Sequence, residues 1–529
     1  MDYDYIIIGS GFGGSVSAHR LTEKGYSVGV LEAGKRFADE DFAKTTWNVF
    51  KYLWLPKLGC YGIMRITPLG NMLILSGTGV GGGSLGYACT LLEPPDPFYQ
   101  DPQWADMQDW KGTLAPHFAT AREMLGVTRC TCVTPADEIC KAVAEELGRG
   151  DTFRMQDVGI YFGAPEETVP DPFFDGRGPD RTGCKLCGGC LVGCRNNAKN
   201  TLPKNYLYLA EQAGAVVHPE TTARLIREVD GGYAVDTYRT TAWFRRGRRT
   251  FTARKIIMAA GVLGTLPLLF HCRHKGTLPN LSPALGQRVR TNSEALGAVT
   301  ATDDKVDYSY GVAITSSYYP DDVTHVEPVR YPRGSDLMTF FLTIMVEGGG
   351  RFLRPLKWLW KNLRHPITSL RVHWPFGWAR RSTVLLVMQT LDNSLRLLSR
   401  RRWWWPFRRS LVTAKEASQA FIPIEMPQAQ KANKMVAAQM GGIPTNSLAE
   451  VTLNMGSTAH ILGGCAIGPD AQRGVIDAQN KVYGHEGVYV IDGSMMPANL
   501  GVNPSLSITA LAEHAMSHIP AKGESPAGE

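Results

Sequence analysis

The chain opens on an apolar run, Tyr5-Ile6-Ile7-Ile8, that stops at the glycine turn Gly9-Ser10-Gly11-Phe12-Gly13-Gly14. A short continuous apolar run ended by a turn predicts a strand covered on both faces, here residues 4–8. Residues 15–24 read as a helix, and Ser27-Val28-Gly29-Val30-Leu31 predicts a second buried strand ending in Glu32. The three make one βαβ unit at the start of the chain. The pattern returns at residues 254–260, which run into Gly261, and at Val488-Tyr489-Val490-Ile491-Asp492, followed by a glycine and a helix over about residues 506–517. Strands of this kind at both ends and in the middle predict an α/β protein. Its nucleotide domain is assembled from residues 1–125, 200–300 and 455–529. Residues 126–199 and 301–454 then build a second domain. There are no internal repeats, and residues 520–529 are expected to form a disordered tail.

A chain of 529 residues has room for about three domains' worth of core. With 44% hydrophobic and 20% charged residues, disorder over most of it is excluded. The 56 glycines follow no collagen period and should mark tight backbone positions. No run of 18 apolar residues is present, so no spanning helix is expected. The acidic start, Met1-Asp2-Tyr3-Asp4, argues against a Sec-type signal peptide and for a cytoplasmic protein.

Charge changes the picture in one place. The chain's net charge is +7, yet residues 351–409 alone hold 14 Lys and Arg against one acid, Asp392. Seven of the twelve tryptophans share that stretch: Trp358, Trp360, Trp374, Trp378, Trp403, Trp404 and Trp405. Arginine among aromatics can track a nucleic-acid strand, but no nucleic-acid motif accompanies it. Lys, Arg and Trp beside Leu and Phe fit an element lying in an anionic membrane interface, so peripheral membrane contact is expected. The plainer alternative is a solvated loop whose tryptophans pack on the body.

The glycine turn matches G-x-G-x-x-G in its proper setting, after a strand and opening a helix. Gly9 permits the tight turn, Gly11 lets a pyrophosphate approach the backbone, and Gly14 lets helix and strand pack closely. Glu32 can accept from both ribose hydroxyls, which disfavours a 2′-phosphate. A second glycine run, Gly77-Thr78-Gly79-Val80-Gly81-Gly82-Gly83-Ser84, follows the apolar Met72–Leu75 and leaves backbone bare for a flat or charged ligand. His460 precedes Gly463-Gly464, and Asn503 follows Gly501, on either side of the strand ending at Asp492. His460 is a candidate base for an alcohol proton, and Asn503 can orient the same oxygen.

On these residues the chain resembles the GMC (glucose–methanol–choline) flavin oxidoreductases, and within them the actinobacterial cholesterol oxidase branch. The resembling segments are Ile8–Leu21, Glu32–Gly34, Gly79–Leu85, Asn196–Ala210, Ala259–Thr265, Arg290–Glu294, His460–Gly464 and Asp492–Ala512, spread over nearly the whole chain. The resemblance implies a Rossmann-like FAD-binding domain with an inserted α+β substrate-binding domain, its antiparallel sheet over the flavin. It implies non-covalent FAD on Gly9, Gly11, Gly13, Gly14 and Glu32. The run Gly79, Gly81, Gly82, Gly83 and Ser84 would lie along the flavin, and Asp492 would hold the flavin end. His460 and Asn503 would face flavin N5 beside the substrate C–OH. The implied reaction is oxidation of a hydrophobic secondary alcohol, a 3β-hydroxysteroid such as cholesterol, with oxygen or another acceptor taking the electrons. Glu327, in His325-Val326-Glu327-Pro328, is the candidate carboxylate for moving a steroid double bond; its plainer reading is a surface loop carboxylate. Where the family pattern has an asparagine after the glycines and serine, this chain has Gly86-Tyr87-Ala88-Cys89.

Eleven cysteines are too few for a disulfide scaffold in a chain this long, but they cluster. Cys184-x2-Cys187-x2-Cys190-x3-Cys194 has the spacing of a ferredoxin site without the usual proline, and Cys130, Cys132 and Cys140 are further thiols. The spacing leaves an iron–sulfur cluster, zinc and structural thiols open. A cluster beside a flavin would make a dehydrogenase feeding a one-electron carrier, acting on another terpenoid or a long-chain alcohol. The remaining rival is a non-enzymatic, membrane-binding flavoprotein.

Overall fold

A computed structural model of the chain describes residues 1–242, 246–402, 405–416 and 422–524. Trp403, Trp404 and the end of the expected tail, residues 525–529, lie outside the described residues. The opening unit consists of β1 (Tyr3–Ile8), α1 (Phe12–Glu23) and β2 (Val28–Leu31). β1 lies in the middle of a seven-stranded sheet, with β2 and then Val216–His218 parallel on one side and Arg249–Met258 parallel on the other. Ile6 and Ile7 are fully buried, as a strand with both faces covered requires.

The strand Arg249–Met258 forks the sheet. Its first half pairs antiparallel with Gly232–Arg239, and its last three residues pair parallel with Val488–Val490. Because β1, β2, Arg249–Met258 and Val488–Val490 are parallel, Gly9, Glu32, Ala259 and Asp492 all come off the same edge. That edge is where open α/β sheets bind nucleotides.

Five antiparallel strands form a second sheet, in the order Thr324–Val329, Ser382–Gln389, Ala295–Ala301, Gly442–Ser447, Leu342–Ile344. Side chains alternate across it. Leu385 and Val387 join the core under the helix Pro427–Met440, whereas Val384 and Leu386 face a large cavity shared with the first sheet. The strand Ala295–Ala301 belongs to this second sheet, so the crossing falls just after Glu294 rather than at residue 300.

The basic, tryptophan-rich stretch is not one element. It comprises helices Gly350–Arg364, Pro366–His373 and Trp378–Arg381, the strand Ser382–Gln389, and the pair Leu395–Arg402 and Trp405–Lys415. Trp378 is buried and the Trp358 indole N–H donates to Thr343 Oγ1 at 2.7 Å, whereas Trp360 and Trp374 are exposed. No helix among the described residues is long and apolar enough to cross a membrane.

Candidate active site

The nucleotide edge is built by glycines that have no room for a side chain. A Cβ on Gly13 would stand 1.9 Å from Ile491 O, and one on Gly14 2.1 Å from Gly9 O. Gly9 takes φ +108°, where a side chain is strained. Gly11 differs, since a Cβ there would meet nothing within 4 Å. It therefore leaves open space beside the uncapped start of α1, where free N–H groups favour an anion. The second glycine loop lies on the first, with a Cβ on Gly82 only 2.7 Å from Gly11 Cα. Ser10 ties the two, accepting from Gly81 N–H at 3.0 Å and donating to Glu32 Oε2 at 2.7 Å.

Gly9, Gly11, Gly13, Glu32, Gly82, Gly83, Asp492, His460 and Asn503 line one cavity of about 2320 Å³. Ordinary ligand pockets measure roughly 300–1,000 Å³, so this one has room for a dinucleotide and a substrate together. Gly14, Gly79, Gly81 and Ser84 support its wall. The Ser84 hydroxyl donates to Gly81 O at 2.7 Å and accepts from Leu202 N–H at 3.0 Å, which makes its place structural. The Asp492 carboxylate accepts from Gly261 N–H and Thr265 Oγ1 on one oxygen and from Ser494 N–H and Oγ on the other. Asp492 thus knits the start of helix Val262–Lys275 to the loop after the last parallel strand, at the cavity wall.

Four chain segments meet at the reaction end, around Glu294, Glu327, His460 and Asn503. His460 Nδ1 stands 3.0 Å from Glu294 Oε2. Glu294 is fixed in turn by Thr458 Oγ1 at 2.9 Å and Ala459 N–H at 3.1 Å. Asn503 donates from Nδ2 to Glu327 Oε2 at 3.1 Å. Glu327 lies on the strand Thr324–Val329 and is fully buried, so the alternative of a surface loop carboxylate is overturned. Burial pushes its acid up to about 7, against the pull of the Asn503 amide and His460. Burial alone would lower the His460 imidazole, but Glu294, with help from Glu327, outweighs it and holds the ring above its ordinary value. Asn503 Oδ1 and Glu327 Oε1 are buried and find no partner among the described residues, and Asn503, which lines the cavity, can offer its oxygen to a molecule entering it.

The sequence reading named no role for Glu294, although it ends the segment Arg290–Glu294. It also passed over Asn292, whose Oδ1 accepts from Leu500 and Gly501 N–H while Nδ2 donates to Val502 O. One short segment therefore positions both His460 and the Asn503 loop. Lys199 was missed as well. It is buried and donates to the carbonyls of Leu85, Tyr87 and Cys190, joining the glycine loop to the cysteine motif.

Cys184, Cys187, Cys190 and Cys194 do not line the cavity. Cys190 and Cys184 pack with Cys89, Cys130 and Cys132 in a small apolar cluster. Among the described residues, no three His, Cys, Asp or Glu side chains are set to hold a metal ion. The four-cysteine spacing is therefore not matched by a metal cage in this arrangement.

A dinucleotide edge, a second sheet over the same cavity and a histidine at their junction define a dinucleotide-dependent oxidoreductase. Residues 7–39 match the model of the NAD(P)-binding Rossmann-like domain, and residues 395–512 that of the GMC oxidoreductases. The chain is 49% identical to a cholesterol oxidase of Mycobacterium tuberculosis, over 100% of this chain and 93% of that one. It is 47% identical to a cholesterol oxidase of Acinetobacter baumannii, over 98% and 95% of the two chains. A pyridoxine 4-oxidase from Mesorbium loti shares the fold, with a TM-score of 0.61 at 14% identity over 97% of this chain and 98% of that one. The chain belongs to the GMC oxidoreductase family, and it is an FAD-dependent alcohol oxidoreductase.

Proposed function

We propose that the protein oxidises the 3β-hydroxyl of cholesterol or a closely related sterol to the ketone, with oxygen as the electron acceptor. The observation that carries this reading is that His460 and Asn503 line the same cavity as the nucleotide edge, with Glu327 bonded to Asn503 just behind its wall. Its apolar wall, which includes Met64, Ile66, Leu75, Leu296 and Leu386, suits a rigid hydrocarbon. Two relatives identical at nearly half their positions are cholesterol oxidases, which supports both the substrate class and the acceptor.

FAD, held by the glycine turn, Glu32 and the Gly79–Gly83 loop, supplies the hydride acceptor when bound. The rest of the work falls to the chain. His460 takes the hydroxyl proton, with Glu294 orienting the ring and stabilising the imidazolium that forms. Asn503 orients the hydroxyl oxygen. Glu327, held near neutrality by burial, carries a proton between two ring carbons and so moves the double bond from Δ5 to Δ4. A sterol resides in a bilayer, so contact with the membrane is peripheral.

A second electron route, through an iron–sulfur cluster to a carrier, would rest on the spacing of Cys184, Cys187, Cys190 and Cys194 alone, because their side chains form no metal cage among the described residues. Metal analysis and EPR of anaerobically purified protein separate the two routes. Stoichiometric iron with an EPR signal in one redox state would replace oxygen by a carrier as acceptor. For the main reading, cholesterol added under argon should bleach the flavin absorbance, and air should restore it with consumption of oxygen. If no 3β-hydroxysteroid bleaches the flavin, the proposed substrate is wrong.

A further inference from the structure

The helix Gly350–Arg364 is turned inside out. Its polar side faces the protein: Arg354 is buried and pairs with Glu425 and Glu450, Trp358 bonds Thr343, and Lys361 Nζ donates to Met345 O at 2.7 Å. Its opposite side carries Phe352, Leu353, Leu356, Leu359, Trp360 and Leu363, which at 3.6 residues per turn share one arc. That arc faces outward. Phe352 is 81% exposed, Leu356 63%, Trp360 65% and Leu363 67%. A soluble helix buries such a face, and an apolar patch this continuous marks an interaction surface.

The patch extends past the helix. Ile367, Leu370, Trp374 and Phe376 are exposed on the segment that follows. Helix Gly350–Arg364 packs on helix Leu448–Leu453, and Pro366–His373 packs on the turn Asp336–Phe341. Those two neighbours carry Leu453, Phe340 and Phe341, which are exposed and also line the cavity. The outward arc and the rim of the cavity are therefore one surface.

Charge selects the occupant. Arg351, Lys357, Arg364 and Arg371 are exposed beside the arc, and residues 350–381 contain no acid. A second copy docking face to face would set these like charges against each other. An anionic lipid surface instead receives the apolar arc among its acyl chains and the cations at its headgroups. We propose that helices Gly350–Arg364 and Pro366–His373 dock the protein on anionic membranes and hold the cavity rim against the bilayer, so that substrate passes in without crossing water. The choice of occupant rests on the proposed lipid substrate.

The test uses the full-length flavoprotein and sedimentation with phosphatidylcholine vesicles, with and without phosphatidylserine. The wild type should bind the phosphatidylserine vesicles, and more weakly at high salt. Leu356→Glu combined with Trp360→Glu should bind about tenfold less tightly or worse. That variant should keep turnover on detergent-solubilised sterol and lose it on sterol held in vesicles. Replacing Arg351, Lys357, Arg364 and Arg371 by Ala should remove the preference for phosphatidylserine. Two results overturn the proposal. One is a wild type that stays in the supernatant with both vesicle types. The other is a dimer, seen by ultracentrifugation, that the Glu variant splits while vesicle binding is unchanged. A flavin that no sterol reduces, with vesicle binding intact, would reject the substrate reading and leave the docking surface standing.

Discussion

At the level of single side chains, the site separates into a base, its support and a proton carrier. His460→Ala should lower kcat by about 10²–10⁴-fold, the usual contribution of a positioned base, with flavin still bound. Retention of near-normal turnover would remove His460 from that role. Glu294 touches neither substrate nor cofactor in this reading and is a positioning residue. Its charge holds the His460 ring above its ordinary value, so Glu294→Gln should move the acid limb of the kcat/KM profile to lower pH. A merely structural Glu294 would lower activity without moving that limb. Glu327 becomes a carboxylate only above about 7, so the fraction of Δ4 product should rise as pH increases through that value. Glu327→Gln should abolish the rise and let the Δ5 ketone accumulate, as product analysis by chromatography would reveal. His460 and Asn503 could be picked out in the sequence because each is a polar residue beside a glycine turn. Glu294 could not, because its meaning lies in a contact across 166 positions, to His460.

Among the elements, the opening βαβ unit was the most legible, because its cause is local. The strand predicted at 4–8 is Tyr3–Ile8, and the second strand, expected to end in Glu32, ends one residue earlier, at Leu31. Two glycines of this unit, Gly11 and Gly13, have different explanations. Gly13 is packed against Ile491, the residue after the strand Val488–Val490, so Gly13→Ala forces backbone apart and should lower Tm along with flavin content. Gly11 faces open space, so Gly11→Ala should fold with near-normal Tm in the apoprotein and bind FAD more weakly, as fluorescence titration would register. Equal loss of Tm in the two variants would contradict this division. The second domain was less legible, because its sheet joins strands from residues 295 to 447 by long-range pairing that leaves no local period. The basic stretch was misread as a unit for a related reason. Composition registers charge and tryptophan but not which side of a helix faces inward, so Trp358 and Trp378 could not be told from Trp360.

Across the whole molecule, buried titratable groups set opposing demands on pH. Burial pushes Glu327 and Glu450 up to about 7, so the folded protein keeps protons that the unfolded chain has released above about 4.5. Their contribution to stability is present below about 4.5 and lost as pH rises through about 7. Burial acts the other way on histidines, lowering His325 to about 3 and His19 and His514 to about 4. The unfolded chain then binds protons that the folded one refuses, so this contribution is present above about 6.5 and lost as pH falls through 4 to 3. Between about 4.5 and 6.5 these two sets oppose each other. Thermal stability should therefore peak near pH 5–6.5 and decline on both sides. Glu327 and Glu450 contribute to the alkaline decline, so Glu327→Gln combined with Glu450→Gln should make it shallower between pH 6.5 and 8 and leave the acid decline in place. Melting curves of apoprotein and holoenzyme across pH 4–8 would check this, and an alkaline slope unchanged in the double variant would assign the loss to other groups.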